Sequence, residues 1–272
     1  ALTLGGGLVW EHRELWTTAL RESTNYSLTK PTGRLTNTRV TLNFNSSRTH
    51  ALQMGTARGV NLFLQGRVKN EMQLPDSLKA VEGMDRSLGE VVGRVRGAIP
   101  LWGGGYAAHV LALQASGGIA SGPGAGPFQY RLGGASGQLE QLTGLELFGG
   151  GFLLFPVRGY PPGSRFGRLA WSATAEYRFP LWFINRGFRV WPLHADRMIG
   201  SLFFDAGNAW GPDLSASGFQ NVLRDPLASL GAEITTEMLG LYRARVRLRV
   251  GVALPLTGGG DAVGYVRVGL PF

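Results

Sequence analysis

The sequence contains no cysteine in 272 residues. That excludes a disulfide framework and a thiolate metal site. No run approaches the ~20 apolar residues of a transmembrane helix. Ala1 opens no basic-then-apolar signal peptide. A mature or truncated chain shows such a start as well as a cytoplasmic one. His12, His50, His109 and His194 have no metal-ligand spacing. There is no nucleophile elbow, phosphate loop or zinc pattern. The sequence therefore points to no enzyme, cofactor or metal.

What is abundant is glycine, at 42 residues, well above the usual ~7% and without a collagen-like period. Many turns and many glycines inside strands account for it. Mean hydropathy is +0.01, as expected where polar and apolar residues alternate. The net charge of +9 and pI of about 10.4 raise nucleic acid as a partner. The basic residues form no block, however. They recur at every second position inside apolar stretches, which places them on one face of a sheet. A charged face opposite a lipid-ready face is a barrel pattern, and nucleic acid is set aside.

Taken in order, Leu2 to Arg13 reads as a strand, and Trp16 to Thr29 as a strand or a long loop. Pro31-Thr32-Gly33 is a turn signal. Leu35 to Asn45 and Arg58 to Lys69 alternate, and Glu71 to Arg86 is a polar loop. Leu88 to Leu101 turns Val91, Val95 and Ile99 outward and Glu90, Arg94 and Arg96 inward. After Trp102-Gly103-Gly104-Gly105, Tyr106 to Ile119 returns. Arg168 to Leu181, Met198 to Trp210, Leu227 to Glu237, Tyr242 to Pro255 and Val263 to Phe272 follow as strands. In Tyr242 to Pro255, Arg243, Arg245, Arg247 and Arg249 alternate with apolar residues. Only a two-residue period puts them in one row. Ten strands result, or eleven if Trp16 to Thr29 counts, most reaching the ~9–11 residues that a membrane strand needs. The expectation is an all-β, antiparallel transmembrane barrel forming a single domain over residues 1–272.

Between the two groups of strands lies a Gly/Pro-rich segment from Gly122 to Gly167. Leu139, Leu142, Leu145, Leu147, Phe148 and the run Phe152 to Phe155 make it too apolar for a solvated linker. A loop of this length is functional or disordered, and the apolar content favours one packed on something.

Four features of this half resemble the barrel of the outer-membrane assembly and translocation superfamily, the bacterial surface antigen type with BamA, TamA and the two-partner-secretion transporters. Val157-Arg158-Gly159-Tyr160 is similar to the VRG(F/Y) motif of that family's inward-folded loop. Phe203-Phe204-Asp205-Ala206-Gly207 is similar to its FxDxG strand motif. Glu176 lies in the strand between them, where the family also carries an acid. The alternating Val266, Val268, Leu270 and terminal Phe272 resemble its C-terminal barrel signal. The resemblance implies a sixteen-stranded barrel, so that the first strands and a periplasmic part lie outside this chain. It implies a bacterial outer-membrane location, in contact with lipid and lipopolysaccharide. Polypeptide substrates or other outer-membrane complex subunits would be its partners. It also implies a weak seam at the last strand, which Gly264, Gly269 and Pro271 would suit.

Parity adds an independent argument. Glu176 falls on the polar face of its strand, as do Phe203, Asp205 and Gly207 of theirs. A guanidinium is a planar fork with five donors, so Arg158 on an inward loop can bridge two carboxylates. The function implied is inserting or translocating polypeptides. The alternative is a passive barrel, serving as a pore or as an anchor for a partner or fused module, because fold does not fix function. An acid pair of a glycosidase and a soluble lipid-binding β-protein are weaker readings, the second because almost no helix is available to cover the apolar face. The arginine row reads as polar lumen wall or as a surface guiding anions. Six tryptophans (Trp10, Trp102, Trp171, Trp182, Trp191, Trp210) read as an interfacial girdle or as ordinary packing.

Overall fold

A computed structural model describes residues 2–14, 32–48, 56, 58–73, 88–103, 108–122, 130–135, 153–187, 193–211, 224–240, 244–258 and 260–269. Ten strands form one antiparallel sheet: β1 (Leu2–Glu14), β2 (Thr32–Asn45), β3 (Gly59–Gln73), β4 (Leu88–Pro100), β5 (Val110–Ser121), β9 (Leu169–Gly187), β10 (Leu193–Trp210), β11 (Leu227–Gly240), β12 (Ala244–Pro255) and β13 (Val263–Gly269). Their spatial order is their chain order, β1-β2-β3-β4-β5-β9-β10-β11-β12-β13. Every strand thus pairs with its sequence neighbours, as in an up-and-down barrel wall. Among the described residues β1 and β13 do not pair with each other, and each forms an edge. One cavity is lined by residues of β2 and β3 together with residues of β12 and β13. The sheet therefore curls until its two ends face a common space.

The strand interval skipped in that order, residues 122–168, holds three short strands. These are β6 (Tyr130–Leu132), β7 (Leu153–Phe155) and β8 (Arg165–Gly167), joined as β7-β6-β8. Strands β6 and β7 run parallel and β6 and β8 antiparallel. The segment is thus a small sheet of its own, not merely a loop.

Alternation dictates the two faces. In β10, Ser201, Phe203, Asp205 and Gly207 are buried while Leu202 and Phe204 are exposed. Outward apolar side chains recur on neighbouring strands: Val60 and Leu64, Val91 and Val95, Leu202 and Phe204, Leu230 and Ile234, Val250 and Val252. A contiguous exposed apolar surface of this extent needs a cover, and lipid is the cover that a barrel's outer face meets. The inner face carries the polar residues. There Ser116 lies 2.9 Å from Ser172, and the Arg96 Nε donates to Gln114 at 2.8 Å.

Several boundaries differ from the sequence reading. Thr32 and Gly33 are not a turn; they pair with Glu14 and Arg13. Strand β3 runs on to Gln73, into the stretch read as polar loop. Strand β5 begins at Val110, after Leu101 and Trp102 have already exchanged backbone hydrogen bonds with His109. Strand β9 continues to Gly187, and β10 starts at Leu193 instead of Met198. The reason is a pair of irregularities, at Ala195/Arg197 and Met198/Ile199. A bulge adds one residue and reverses the alternation beyond it. Leu181 and Trp182 are consequently both exposed. Leu169 is buried; it sits opposite Ile119 and Trp210, large neighbours on either side.

Candidate functional site

The inner face and the small sheet meet in a single apolar cluster. Tyr130, Leu132, Phe155 and Val157 come from the inserted segment. They pack on Leu88 and Val92 of β4, Ala120 of β5, Ala170 of β9, Ala209 of β10 and Leu227 of β11. Ala120, Ala170 and Ala209 are small, as is Gly118 beneath Tyr130 and Phe155, which makes room for the segment. Tyr130 and Phe155 meet edge to face, with ring centroids 5.4 Å apart. Burying each large side chain contributes roughly 1.5–3 kcal/mol. Among the described residues, the main hydrophobic cluster is thus the interface between insert and wall.

Val157-Arg158-Gly159-Tyr160 forms the polar end of that interface. The Arg158 side chain is buried and lies over β10. Its Nε donates to Asp205 Oδ2 at 2.6 Å and its Nη2 to Asp205 Oδ1 at 2.8 Å. The Arg158 backbone N–H adds a third bond to Asp205 Oδ2 at 3.1 Å. The guanidinium also stacks on Phe203, with Cζ 3.4 Å from the ring centroid. Charge-assisted bidentate pairs of this kind are the strongest that side chains make, and a cation over a desolvated ring adds to them. Burial works against the Arg158 charge, but the bonds and charge of Asp205 outweigh it and raise the pKa. The guanidinium stays protonated.

Glu176, the second carboxylate expected for Arg158, is ion-paired with it at longer range than Asp205. Its carboxylate is 3.9 Å from Arg158 Nη1 and accepts from Arg178 Nε at 3.0 Å. Arg158 therefore bonds one carboxylate and sits beside two more, because Glu233 approaches Nη1 to 3.7 Å. Glu233 escaped the sequence reading. Its signal was the parity of β11, in which Leu227, Ser229, Glu233 and Thr235 share the buried face. Glu233 also takes bonds from Tyr265 at 2.9 Å, from Arg249 at 3.4 Å and from Arg267.

The two flanking residues of the motif meet other strands. Gly159 has φ +90°, a conformation that costs a side-chain-bearing residue, and an added Cβ would lie 3.1 Å from Ala253 Cβ. The Tyr160 hydroxyl is 2.7 Å from the carbonyl oxygens of both Ala228 and Thr257, and accepts from the Thr257 N–H at 3.2 Å. Val157 is fully buried against Gly207, where a Cβ would come within 2.7 Å of the Trp171 carbonyl and 3.0 Å of Val157. Four consecutive residues thus touch β10, β11 and β12 and the turn after β12.

A second attachment lies across the wall. Tyr130 donates its hydroxyl to Glu90 of β4 at 3.0 Å, and Glu90 is ion-paired with Arg67 of β3. The Arg267 side chain of β13 bonds the Ala135 carbonyl. Residues from β4 to β13 therefore hold the insert.

Of the arginine row, Arg247 donates to Glu237 at 2.6 Å, and Arg249 pairs with Glu233. Arg243 and the side chain of Arg245 lie outside the described residues, as do Leu270, Phe272, the Val268 side chain and the apolar stretch 136–152. Among the described residues, no group of three His, Asp or Glu side chains could hold a metal ion.

Comparison with curated proteins gave no match. Residues 149–258 match the Omp85 superfamily domain. The matched interval contains Arg158, Gly159, Tyr160, Glu176, Phe203, Asp205, Gly207 and Glu233, that is, the whole clasp around Arg158. The superfamily is one of outer-membrane β-barrels concerned with inserting and translocating proteins. The part of this chain that holds the clasp, residues 149–258, is thus similar to the Omp85 superfamily domain.

Proposed function

We propose that this chain forms the wall and lumen loop of an outer-membrane barrel that inserts or translocates polypeptides, and that residues 122–167 act in it as a docked element. The observation that carries the proposal is the clasp of Arg158 on Asp205, with Phe203 beneath it and Glu176 and Glu233 beside it. A buried ion pair contributes little net stability but penalises every arrangement that leaves one partner unpaired. It therefore selects one docked position for the segment. Val157, Arg158, Gly159, Tyr160, Glu176, Phe203, Asp205 and Gly207 are the residues of that lock.

The edges of the sheet bear on the same reading. A strand edge in hydrocarbon leaves backbone groups unsatisfied, at several kcal/mol each. Strands β1 and β13 must therefore pair, either with each other or with further strands. The resemblance to sixteen-stranded barrels favours further strands. A pairing that can be exchanged for that of a substrate strand is chemically suited to insertion.

The test is reconstitution of the full-length protein in liposomes, followed by addition of an unfolded outer-membrane barrel. Faster folding of that substrate than in empty liposomes, lost in Asp205→Ala, supports the proposal. A protein that conducts ions yet leaves the substrate's folding rate and translocation unchanged is a passive pore or anchor.

A further inference from the structure

The inner face encloses a cavity of about 520 Å³ beside the docked segment. That is room for many waters, each of which occupies ~30 Å³ in the liquid. Six arginines line it, among them Arg96, Arg178, Arg247, Arg249 and Arg267, against two lining carboxylates, Glu176 and Asp205. Most of these arginines are already committed. Arg158 is held by Asp205, Arg178 by Glu176, Arg247 by Glu237, and Arg249 and Arg267 by Glu233.

Arg96 is different. It projects from β4, and its Nε donates to Gln114, which fixes the plane of the guanidinium. Its two terminal nitrogens have no hydrogen-bond or carboxylate partner among the described residues. Arg94, Arg178 and Arg249, all of its own sign, are among the charges that act on it. Arg94, one inward position away, has a buried Nε without a partner. A half-buried guanidinium surrounded by like charges, oriented by an amide and facing an open cavity, lacks an anion.

We propose that the cavity is a binding site for a small soluble oxyanion, of the phosphate or pyrophosphate type, centred on Arg96 and assisted by Arg178 and Arg249. The planar fork of an arginine matches such oxygens in pairs. A bound polyanion would relieve the repulsion among the arginines. Because the inference rests on the cavity and its charges, it can fail while the polypeptide-handling proposal stands, and the reverse.

The experiment is isothermal titration of inorganic pyrophosphate into the full-length protein in detergent, at low and at physiological salt. Saturable binding is expected, weaker at higher salt as for any exposed ionic site. Arg96→Gln should weaken it about tenfold or more, a loss of one charge-assisted bidentate contact. Arg224→Gln, at an exposed position outside the cavity, removes the same charge and should bind as wild type. Should Arg96→Gln not yield a folded barrel, Arg96→Lys keeps the charge and loses the fork, and binding should fall several-fold. No heat of binding to the wild-type protein overturns the inference. So does equal binding by the Arg96 variants, or equal weakening by Arg224→Gln.

Discussion

Arg158 and Asp205 are 47 residues apart in the chain and joined by three hydrogen bonds of 2.6, 2.8 and 3.1 Å, two from the guanidinium and one from the backbone. The Asp205 carboxylate is almost completely enclosed. Arg158→Ala should therefore leave a buried carboxylate with only one backbone donor, at a cost of about 3–5 kcal/mol. Asp205→Ala should cost a similar amount, and the double variant less than the sum, because both changes remove one interaction. Because the clasp joins insert to wall, the loss should fall on docking of residues 122–167 before it falls on the wall. Limited proteolysis of the segment, read beside denaturant unfolding of the barrel, checks this. Equal protease resistance in wild type and Arg158→Ala would show that the clasp does not hold the segment.

Arg158→Lys tests geometry apart from charge. An ammonium keeps the charge facing Asp205, Glu176 and Glu233 but cannot donate to both Asp205 oxygens as a fixed fork. It also loses the flat face that stacks on Phe203. We expect lysine to recover part of the alanine defect and no more. Full recovery would reduce the site to a point charge.

Gly207→Ala places a methyl group 2.7 Å from the Trp171 carbonyl, 2.9 Å from Leu132 and 3.0 Å from Val157. One of the three contacts is backbone of the wall and cannot move away cheaply. The substitution should push the segment off β10 and cost about 1–3 kcal/mol as overpacking. Hydrogen exchange at Val157 and Arg158 should accelerate while that of β2 and β3 stays unchanged.

Tyr160→Phe removes a hydroxyl that reaches Ala228 and Thr257 together. The Thr257 N–H keeps no bond to Tyr160 afterwards. A cost of about 0.5–1.5 kcal/mol is expected for the hydrogen bond lost, with up to ~3 kcal/mol if the N–H stays dry. The readout is the thermal midpoint of the segment's protease protection. A variant as resistant as wild type would place Tyr160's contribution in its ring alone.

At the opposite attachment, Tyr130→Phe and Glu90→Ala should differ. The first removes one hydrogen bond and leaves Glu90 paired with Arg67. The second leaves Arg67 without its carboxylate and should cost more. Comparing unfolding midpoints of the two variants decides it; the reverse order would mean that Arg67 finds water.

Alternation alone located ten strands of the wall and, where side chains are described, most of their inward and outward faces, with Glu176 and Asp205 on the inner one. A side-chain period of two is a local property, set by the pleat. The same property failed at the β9–β10 hairpin, where two bulges reset the parity and hid six residues of strand beyond Leu181. The motif around Arg158 pointed to the segment that matters, and its apolar neighbours showed that it packs on something. What only the tertiary structure decided is which carboxylate Arg158 takes. Asp205 and Glu176 both face inward, so parity could not rank them. The backbone path of Val157 to Tyr160 over Gly207 and Ala253 sets Arg158 on Asp205, and it leaves Glu176 to Arg178. Likewise, nothing local joined Glu233 to this site or left Arg96 without a carboxylate. Both depend on which strands the curl of the sheet brings face to face, a matter of closure that no single strand encodes.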